Sequence, residues 1–369
     1  MGEAKSGRVL IAGGGTGGHL MPALAIAEEL RRTRPDIEAV LVGAERGIEA
    51  QLLPRRDFRF HLLASEPIYR RQWWKNIRWP FLAVKLLRQV DKLLATEQPL
   101  AVLGTGGYAS GPVVWLAGRR GIPTAIQEQN AWPGLATRRL SGRVRHVYLG
   151  LPEARARIAP SPSTEVFDTG NPIVPPDQDR RAAARRRFEL SDERPVVLIT
   201  GGSQGAVALN ELVAEWLRGG GGEGMTVLWA TGRGSYDRYA PLARPPSVQV
   251  FDFLDPMADG YAVANLVVAR AGMMTGAELC AWGLPSLLIP LPTAAADHQT
   301  WNARALAEAG AALMLVQAGL TAAHLGETIH RLVRDPYRLG TMAAAARERG
   351  RPDASRQIVA HLLGLIGGR

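Results

Sequence analysis

Five glycines fill the six positions 13–18, with Thr16 among them, directly after the apolar run 9–12 and before a stretch where Ala23, Ile26, Ala27 and Leu30 recur at helical spacing. Glycine carries the largest backbone entropy cost and is used where φ must be positive or where another group must approach the main chain closely. The run therefore reads as a loop between a buried strand and an amphipathic helix, with Pro22 expected at the first helical position. A helix N-terminus reached through glycines offers unpaired N–H groups and positive dipole charge, a site for an anion such as a phosphate. His19 stands at its edge, where it either exchanges a proton with substrate or lines the helix start. Gly13, Gly15 and Gly18 also satisfy the dinucleotide fingerprint, although the acid that should close the next strand comes late, at Glu45.

The same construction recurs. Strand-like runs at 9–12, 39–42, 100–103, 124–126 and 144–149 alternate with helical stretches, which argues for a parallel sheet covered on both faces. A proline-dense segment, Asn171-Pro172-Ile173-Val174-Pro175-Pro176, reads as a linker. A second series follows at 196–200, 225–230, 248–253, 265–269, 286–290 and 311–316, and residues 355–366 form a terminal amphipathic helix. Two similar α/β domains are expected, and a cleft between such domains is a common place for a ligand.

At 369 residues the chain is long enough for two ordinary cores, and a hydrophobic fraction of 46% with 21% charged residues is that of a globular protein. No run approaches the roughly 18 apolar residues of a membrane helix, and the N-terminal apolar run is too short for a signal peptide. The single cysteine, Cys280, excludes an internal disulfide framework and agrees with the cytoplasm. A net charge of +10 favours acidic partners: nucleic acid, anionic lipid or phosphorylated substrates. The charges accompany tryptophans and leucines rather than a nucleic-acid-binding motif, so no nucleic-acid partner is expected.

Further polar loops follow the other strands. Gly104, Gly106, Gly107 and Gly111 repeat the phosphate-type loop after 100–103, and Gln127-Glu128-Gln129-Asn130 ends the next strand, either as site residues or as turn and cap residues of the helix at 135–140. In the second half, Gly201-Gly202-Ser203-Gln204-Gly205-Ala206 rebuilds the strand, glycine loop and helix. Thr275 and Glu278 have capping-box spacing; alternatively the Glu278 carboxylate accepts hydrogen bonds from two adjacent ribose hydroxyls. Asp177-Gln178-Asp179 looks like a metal-holding aspartate pair but lies among prolines and arginines, so a solvated linker is expected and no metal site is assigned.

Six stretches then run in one order along nearly the whole chain: GGGTGGH at 13–19, GGYASGP at 106–112, EQN at 128–130, GNP at 170–172, GGSQGA at 201–206, and 270–285 followed by HQ and NA near 298–303. Together they resemble the MurG glycosyltransferases, which add N-acetylglucosamine to the undecaprenyl-linked peptidoglycan precursor. The resemblance implies an α/β GT-B architecture, two Rossmann-like domains facing across a cleft. Residues 1–173 would form the acceptor and membrane-associating domain, residues 174–349 the UDP-sugar domain, and a helix at about 350–369 would pack back on the first. It implies an inverting transfer from UDP-N-acetylglucosamine to an undecaprenyl-diphosphate-linked N-acetylmuramoyl-peptide, without a cofactor, at the cytoplasmic face of the bacterial inner membrane. Uracil would meet the backbone at Leu254 and ribose would meet Glu278. The diphosphate would lie at Ser203 and the helix start Met273, Met274, Thr275, Gly276 and Ala277, and the sugar at Asn130 and Gln299. Thr16, Gly17 and Gly18 would also touch the donor. Alternatives are a GT-B transferase with another acceptor or, further off, an NAD(P)-dependent Rossmann enzyme.

Two positions depart from the family pattern. Val174 stands where many members carry an arginine, and Gln127 replaces the histidine before EQN, which leaves His19 as the expected general base. Between residues 69 and 92, Arg70, Arg71, Lys75, Arg78, Lys85, Arg88 and Lys92 are interleaved with Trp73, Trp74, Trp79, Phe81 and Val84. That mixture suits a segment resting on an anionic membrane surface.

Overall fold

In the computed structural model, residues 7–66, 79–191, 194–202 and 205–367 are described. The chain divides into two compact units, Met1–Val174 together with Pro352–Arg369, and Pro175–Arg351.

The first unit is built on β1 (Gly7–Gly13), β2 (Ile37–Ala44), β3 (Arg59–Leu63), β4 (Ala101–Gly106), β5 (Thr124–Glu128), β6 (His146–Leu149) and β7 (Glu165–Phe167). They form one seven-stranded sheet in the order β3-β2-β1-β4-β5-β6-β7, and every pair is parallel. The helices are α1 (Gly17–Thr33), α2 (Glu49–Leu52), α3 (Trp79–Glu97), α4 (Ser110–Arg119) and α5 (Leu135–Leu140). Successive side chains of a strand point to opposite faces, and here both faces are buried. Val9, Ile11, Leu41 and Leu103 pack under α1 residues such as Leu24 and Leu30. Leu10, Val40 and Val102 pack under Leu86, Val90 and Leu94 of α3 and Val113 of α4.

The second unit repeats the plan with β8 (Val196–Thr200), β9 (Thr226–Ala230), β10 (Val248–Phe251), β11 (Leu266–Ala269), β12 (Ser286–Leu288) and β13 (Ala312–Met314). The order is β10-β9-β8-β11-β12-β13, again all parallel. Its helices are α6 (Arg180–Arg187), α7 (Val207–Arg218), α8 (Tyr236–Tyr239), α9 (Met257–Val263), α10 (Met273–Trp282), α11 (His298–Glu308), α12 (Ala322–Val333) and α13 (Pro336–Arg349). Thr321 and Asp335 cap α12 and α13 through their side chains, and Gly283, at φ +67°, ends α10. The last helix, α14 (Ala354–Gly367), belongs to the first unit, where Ile358, Val359 and Leu362 join the core beneath α1.

Two parallel Rossmann-like sheets are what the alternating strand and helix pattern implies. The strands absent from the sequence reading, β3 and β7, have reasons for escaping it. β3 is an edge strand whose Arg59 and His61 side chains turn to Glu97 at 2.8 Å each, so its polar residues mask the apolar rhythm. β7 is only three residues long. Pro22 is not the first helical residue: α1 already starts at Gly17, and Pro22 lies buried inside it. The helix begins within the glycine run, and the missing Pro22 N–H costs the Gly18 carbonyl its intrahelical partner.

In each sheet the order reverses beside the first strand, between β1 and β4 and between β8 and β11. Connections leave for opposite faces there, so the carboxyl ends of those strands open a crevice in which ligands of α/β folds bind. The loops at 13–16 and 104–109 flank one such point; those at 201–206 and 270–272 flank the other.

Candidate active site

In the first unit the two glycine loops pack onto each other. Gly106 and Gly107 have φ of +96° and +82°, and a Cβ on Gly107 would lie 1.8 Å from the Gly14 carbonyl oxygen. The Gly14 N–H donates to the Gly106 carbonyl at 3.4 Å. Gly15, at φ +93°, lies under the Tyr108 ring, 2.5 Å from where its Cβ would stand. Much of the glycine content is therefore used for close backbone approach rather than for a ligand. Gly17 is different: a Cβ there would meet nothing within 4 Å.

His19 is held from three sides. Its N–H returns to the Thr16 carbonyl at 3.1 Å, and its carbonyl accepts the Thr105 hydroxyl at 2.8 Å. Its ring lies along Gly106, where an added Cβ would come 2.6 Å from Cδ2, and Nδ1 is 3.1 Å from Thr16 Oγ1. Thr16 occupies the N-cap of α1 but its side chain makes no cap bond, because the hydroxyl serves the imidazole. The Gly15 amide, read in the sequence as part of an anion site, already donates to the Glu49 carboxylate.

The polar cluster after β5 divides its work. Glu128 accepts the Asn130 N–H at 3.0 Å and the Asn130 side-chain amide at 3.2 Å through Oε1, and the Gly134 N–H at 2.9 Å and Thr137 hydroxyl at 2.6 Å through Oε2. It thus ties down the start of α5, the turn-and-cap reading, and at the same time orients Asn130. Gln127 is buried and donates to Asn171 Oδ1 at 2.9 Å, Asn171 donates to the Gln129 carbonyl at 3.1 Å, and Gln129 donates to the Thr105 carbonyl at 2.7 Å. This amide network braces the strand ends below His19.

The second unit holds a cavity of about 580 Å³. Thr200, Gly201, Gly202 and Gly205 line one wall, Arg270, Gly272 and Thr275 another, and Leu291, Gln299 and Gln317 complete it. Ser203 lies outside the described residues. α10 starts at Met273 behind Gly272, and the Gly276 N–H is the first to return to the Gly272 carbonyl, at 3.0 Å. The amides of Met273, Met274 and Thr275 thus have no acceptor within the helix. Thr275 sits inside the first turn rather than at the N-cap, so the capping box with Glu278 is not formed.

Glu278 accepts a hydrogen bond from the Tyr261 hydroxyl at 2.8 Å through Oε2. Desolvation pushes its carboxyl up from the ordinary value of 4.5, with Tyr261 opposing. Burial drives Tyr261 well above its usual range, so the proton of this pair stays on the phenol. Tyr261 lies far from Glu278 in sequence and carried no local signal. Gln299 stands in the first turn of α11, and its Oε1 accepts the Leu291 N–H at 2.9 Å, which presents the NH₂ to the cavity. Before it, Ala296 and Asp297 both adopt left-handed backbone, φ +52° and +54°, an arrangement costly for residues with a Cβ. Leu254 follows β10 and is fully buried.

Arg270 carries a signal that sequence reasoning did not weigh. It is buried, lines the cavity, and donates from Nη1 to the Ile289 carbonyl at 3.0 Å and the Pro290 carbonyl at 3.3 Å; burial lowers its pKa. Cys280 is buried, and burial pushes its thiol up to about 12, which removes it as a nucleophile near neutrality. Among the described residues no group of three or more His, Cys, Asp or Glu side chains is disposed to hold a metal ion.

Comparison with known proteins agrees with this geometry. Residues 9–149 match the glycosyltransferase family 28 N-terminal domain and residues 196–358 its C-terminal domain. The chain is 38% identical, over 98% of both chains, to the UDP-N-acetylglucosamine--N-acetylmuramyl-(pentapeptide) pyrophosphoryl-undecaprenol N-acetylglucosamine transferase of Salinibacter ruber. The crystal structure of Acinetobacter baumannii MurG superposes with a TM-score of 0.77 at 28% identity, covering 97% of this chain and 99% of that one. The UDP-GlcNAc 2-epimerase of Neisseria meningitidis shares the fold alone, at a TM-score of 0.65 and 16% identity over 97% of this chain and 100% of that one.

Proposed function

The chain belongs to glycosyltransferase family 28 and, within it, to the MurG family, and from that premise we propose how its residues divide the reaction. It is a UDP-sugar glycosyltransferase of GT-B fold that moves N-acetylglucosamine from UDP-N-acetylglucosamine to the undecaprenyl-diphosphate-linked N-acetylmuramoyl-peptide in peptidoglycan synthesis.

The second unit takes the donor. The observation that carries this reading is the cavity of about 580 Å³ walled by two helix approaches, with Arg270 in its lining. The amides of Met273, Met274 and Thr275, with the continuing turn of Gly276 and Ala277, meet the diphosphate, and the buried Arg270 guanidinium offsets its charge. Glu278 accepts from the ribose hydroxyls, aimed by Tyr261. The Leu254 main chain meets uracil, and the Gln299 NH₂ a sugar hydroxyl; Asn130, held by Glu128, is the residue of the first unit assigned to the sugar.

The first unit takes the acceptor. As the bond from C1 to the phosphate oxygen breaks, UDP leaves with the electron pair, the acceptor oxygen bonds to C1 from the opposite face, and its proton passes to His19. The anomeric centre inverts. For His19 to act so, its Nδ1–H must donate to Thr16 Oγ1, which puts the accepting lone pair on Nε2. Gly17 and Gly18 follow Thr16 into the first turn, with amides lacking an intrahelical acceptor, and complete the contact with the donor.

Among the described residues no helix is long and apolar enough to cross a membrane. Peripheral attachment is supported by α3. Its inner face buries Leu86, Val90 and Leu94, while Phe81 stays 83% and Val84 50% exposed beside exposed Lys85, Arg88 and Lys92. Arg70, Arg71, Trp73, Trp74, Lys75 and Arg78 lie outside the described residues. Purified protein supplied with UDP-N-acetylglucosamine and the lipid acceptor should release UDP only when both are present. Folded protein that releases none would overturn the reading.

A further inference from the structure

Glu49 is a buried carboxylate that takes no direct part in the transfer. Its side chain has no solvent exposure, although it opens α2, a helix of only four residues. Its Oε1 and Oε2 accept the Gly15 N–H at 2.8 and 3.0 Å, and Oε1 also accepts the Ala44 N–H at 2.7 Å. Three glycines make room for it. A Cβ on Gly14 would stand 2.0 Å and one on Gly47 2.2 Å from Oε1, and one on Gly43 2.4 Å from Cγ. A buried carboxylate is costly unless backbone donors meet it, and a helix this short could be closed by an apolar side chain instead. What the carboxylate specifically does is fix the Gly15 amide, one residue before the hydroxyl that holds the imidazole.

We propose that Glu49 is a positioning residue for the transfer: by gripping Gly15 it holds Thr16, and through Thr16 the ring of His19, in the orientation that accepts the acceptor's proton. The chain of contacts is Glu49 to the Gly15 N–H, along one peptide unit to Thr16, then Thr16 Oγ1 to His19 Nδ1 at 3.1 Å. The Thr105 hydroxyl fixes the other end of the same turn at the His19 carbonyl, 2.8 Å away. The loop is thus pinned on both sides of the imidazole, once by a hydroxyl and once by a carboxylate. An anion that the sequence invites one to seek in the substrate is, at Gly15, supplied by the protein itself. This proposal rests on His19 acting as the base.

The test is a double-variant cycle in steady-state turnover with UDP-N-acetylglucosamine and the lipid acceptor. Glu49→Gln keeps the volume but sets an NH₂ against the Gly15 N–H. It should lower kcat by up to about 10²-fold, the cost of a base misplaced by about an ångström. In a His19→Ala background the same substitution should change kcat less than about twofold, because residues that act as a unit are not additive. An equal fall in both backgrounds would assign Glu49 to general stability and overturn the proposal, as would an unchanged kcat in Glu49→Gln. A His19→Ala variant with wild-type kcat would instead remove the base reading, and this proposal with it. Gly47→Ala leaves the carboxylate in the chain but drives a methyl against it. Position 47 lies in a turn without left-handed backbone, and where Glu49→Gln does not fold, the same cycle run with Gly47→Ala upholds or overturns the proposal by the same outcomes.

Discussion

The two units place glycine loops at the same point of the same kind of sheet and fill them to different degrees. In the first, the loops after β1 and β4 close on each other, with Gly107 against Gly14, Gly15 under Tyr108 and the Gly15 amide on Glu49. In the second, Gly201 and Gly205 also pack against backbone, but a methyl placed on Gly202, at φ +86°, or on Gly272 would meet nothing within 4 Å, and a cavity lies beside them. A glycine loop is therefore not by itself a phosphate site. Where the protein occupies the amides, the loop becomes a rigid mount for a side chain. Where a loop leads into first-turn amides without an acceptor in the helix, as Gly272 does before Met273, Met274 and Thr275, it is the part assigned to a ligand.

The contrast is broken most directly at the mounted side chain. His19→Ala should lower kcat by about 10²–10⁴-fold, the usual share of a general base, and leave UDP affinity, read by calorimetry, nearly unchanged. A fall of less than a few-fold would make His19 a loop residue. The next largest effect compares two left-handed glycines. Gly107→Ala meets both strain and the Gly14 carbonyl, and should destabilise the protein by several kcal/mol in denaturant unfolding. Gly202→Ala meets strain alone, about 1–2 kcal/mol. Equal losses would mean that the first-unit loops are no more interlocked than the second-unit ones.

What could be read in advance follows from the range of the forces involved. The buried strands at 9–12 and 196–200 announce themselves as apolar runs because both of their faces are covered, and the glycine loops do so because positive φ and close backbone approach both demand glycine. The polar partners are set by distance in space. Tyr261 reaches Glu278 across the gap between two helices, Glu49 reaches Gly15 from the far side of β2, and Asn171 reaches Gln127 from beyond β7. No local pattern encodes such contacts. Pro22 failed as a start signal for a local reason: the glycines before it were themselves helical.

A smaller effect is expected at the surface, where again the units should differ. Replacing Trp79, Phe81 and Val84 of α3 with serine removes apolar area worth roughly 1.5–3 kcal/mol for each side chain that membrane contact would bury fully. Binding to anionic vesicles, followed by co-sedimentation at two salt concentrations, should weaken about tenfold or more, and turnover of full-length lipid acceptor should fall with it. UDP affinity, assigned to the second unit, should not move. Unchanged vesicle binding by the folded triple variant would sink the α3 placement while leaving the transferase activity untouched.

A pH dependence is expected at Glu278, in the unit assigned to the donor. Desolvation raises the Glu278 pKa above 4.5 in the folded protein, so its ionisation is opposed by the fold. For a carboxyl raised in this way, the favourable contribution is complete below the unfolded value and is lost as pH climbs through the folded value. Ribose hydroxyls that donate to the carboxylate favour the ionised form and draw the pKa back down. UDP binding should therefore release protons above pH 4.5, visible in calorimetry as a heat that varies with the buffer's ionisation enthalpy, and affinity should rise with pH until Glu278 is ionised without ligand. Glu278→Gln, which mimics the neutral acid, should lose about 1.5–3 kcal/mol of UDP affinity at neutral pH and flatten this rise. No proton release by the wild type, or an undiminished slope in Glu278→Gln, would take the ribose away from Glu278 and leave its carboxylate only the partner that Tyr261 already provides.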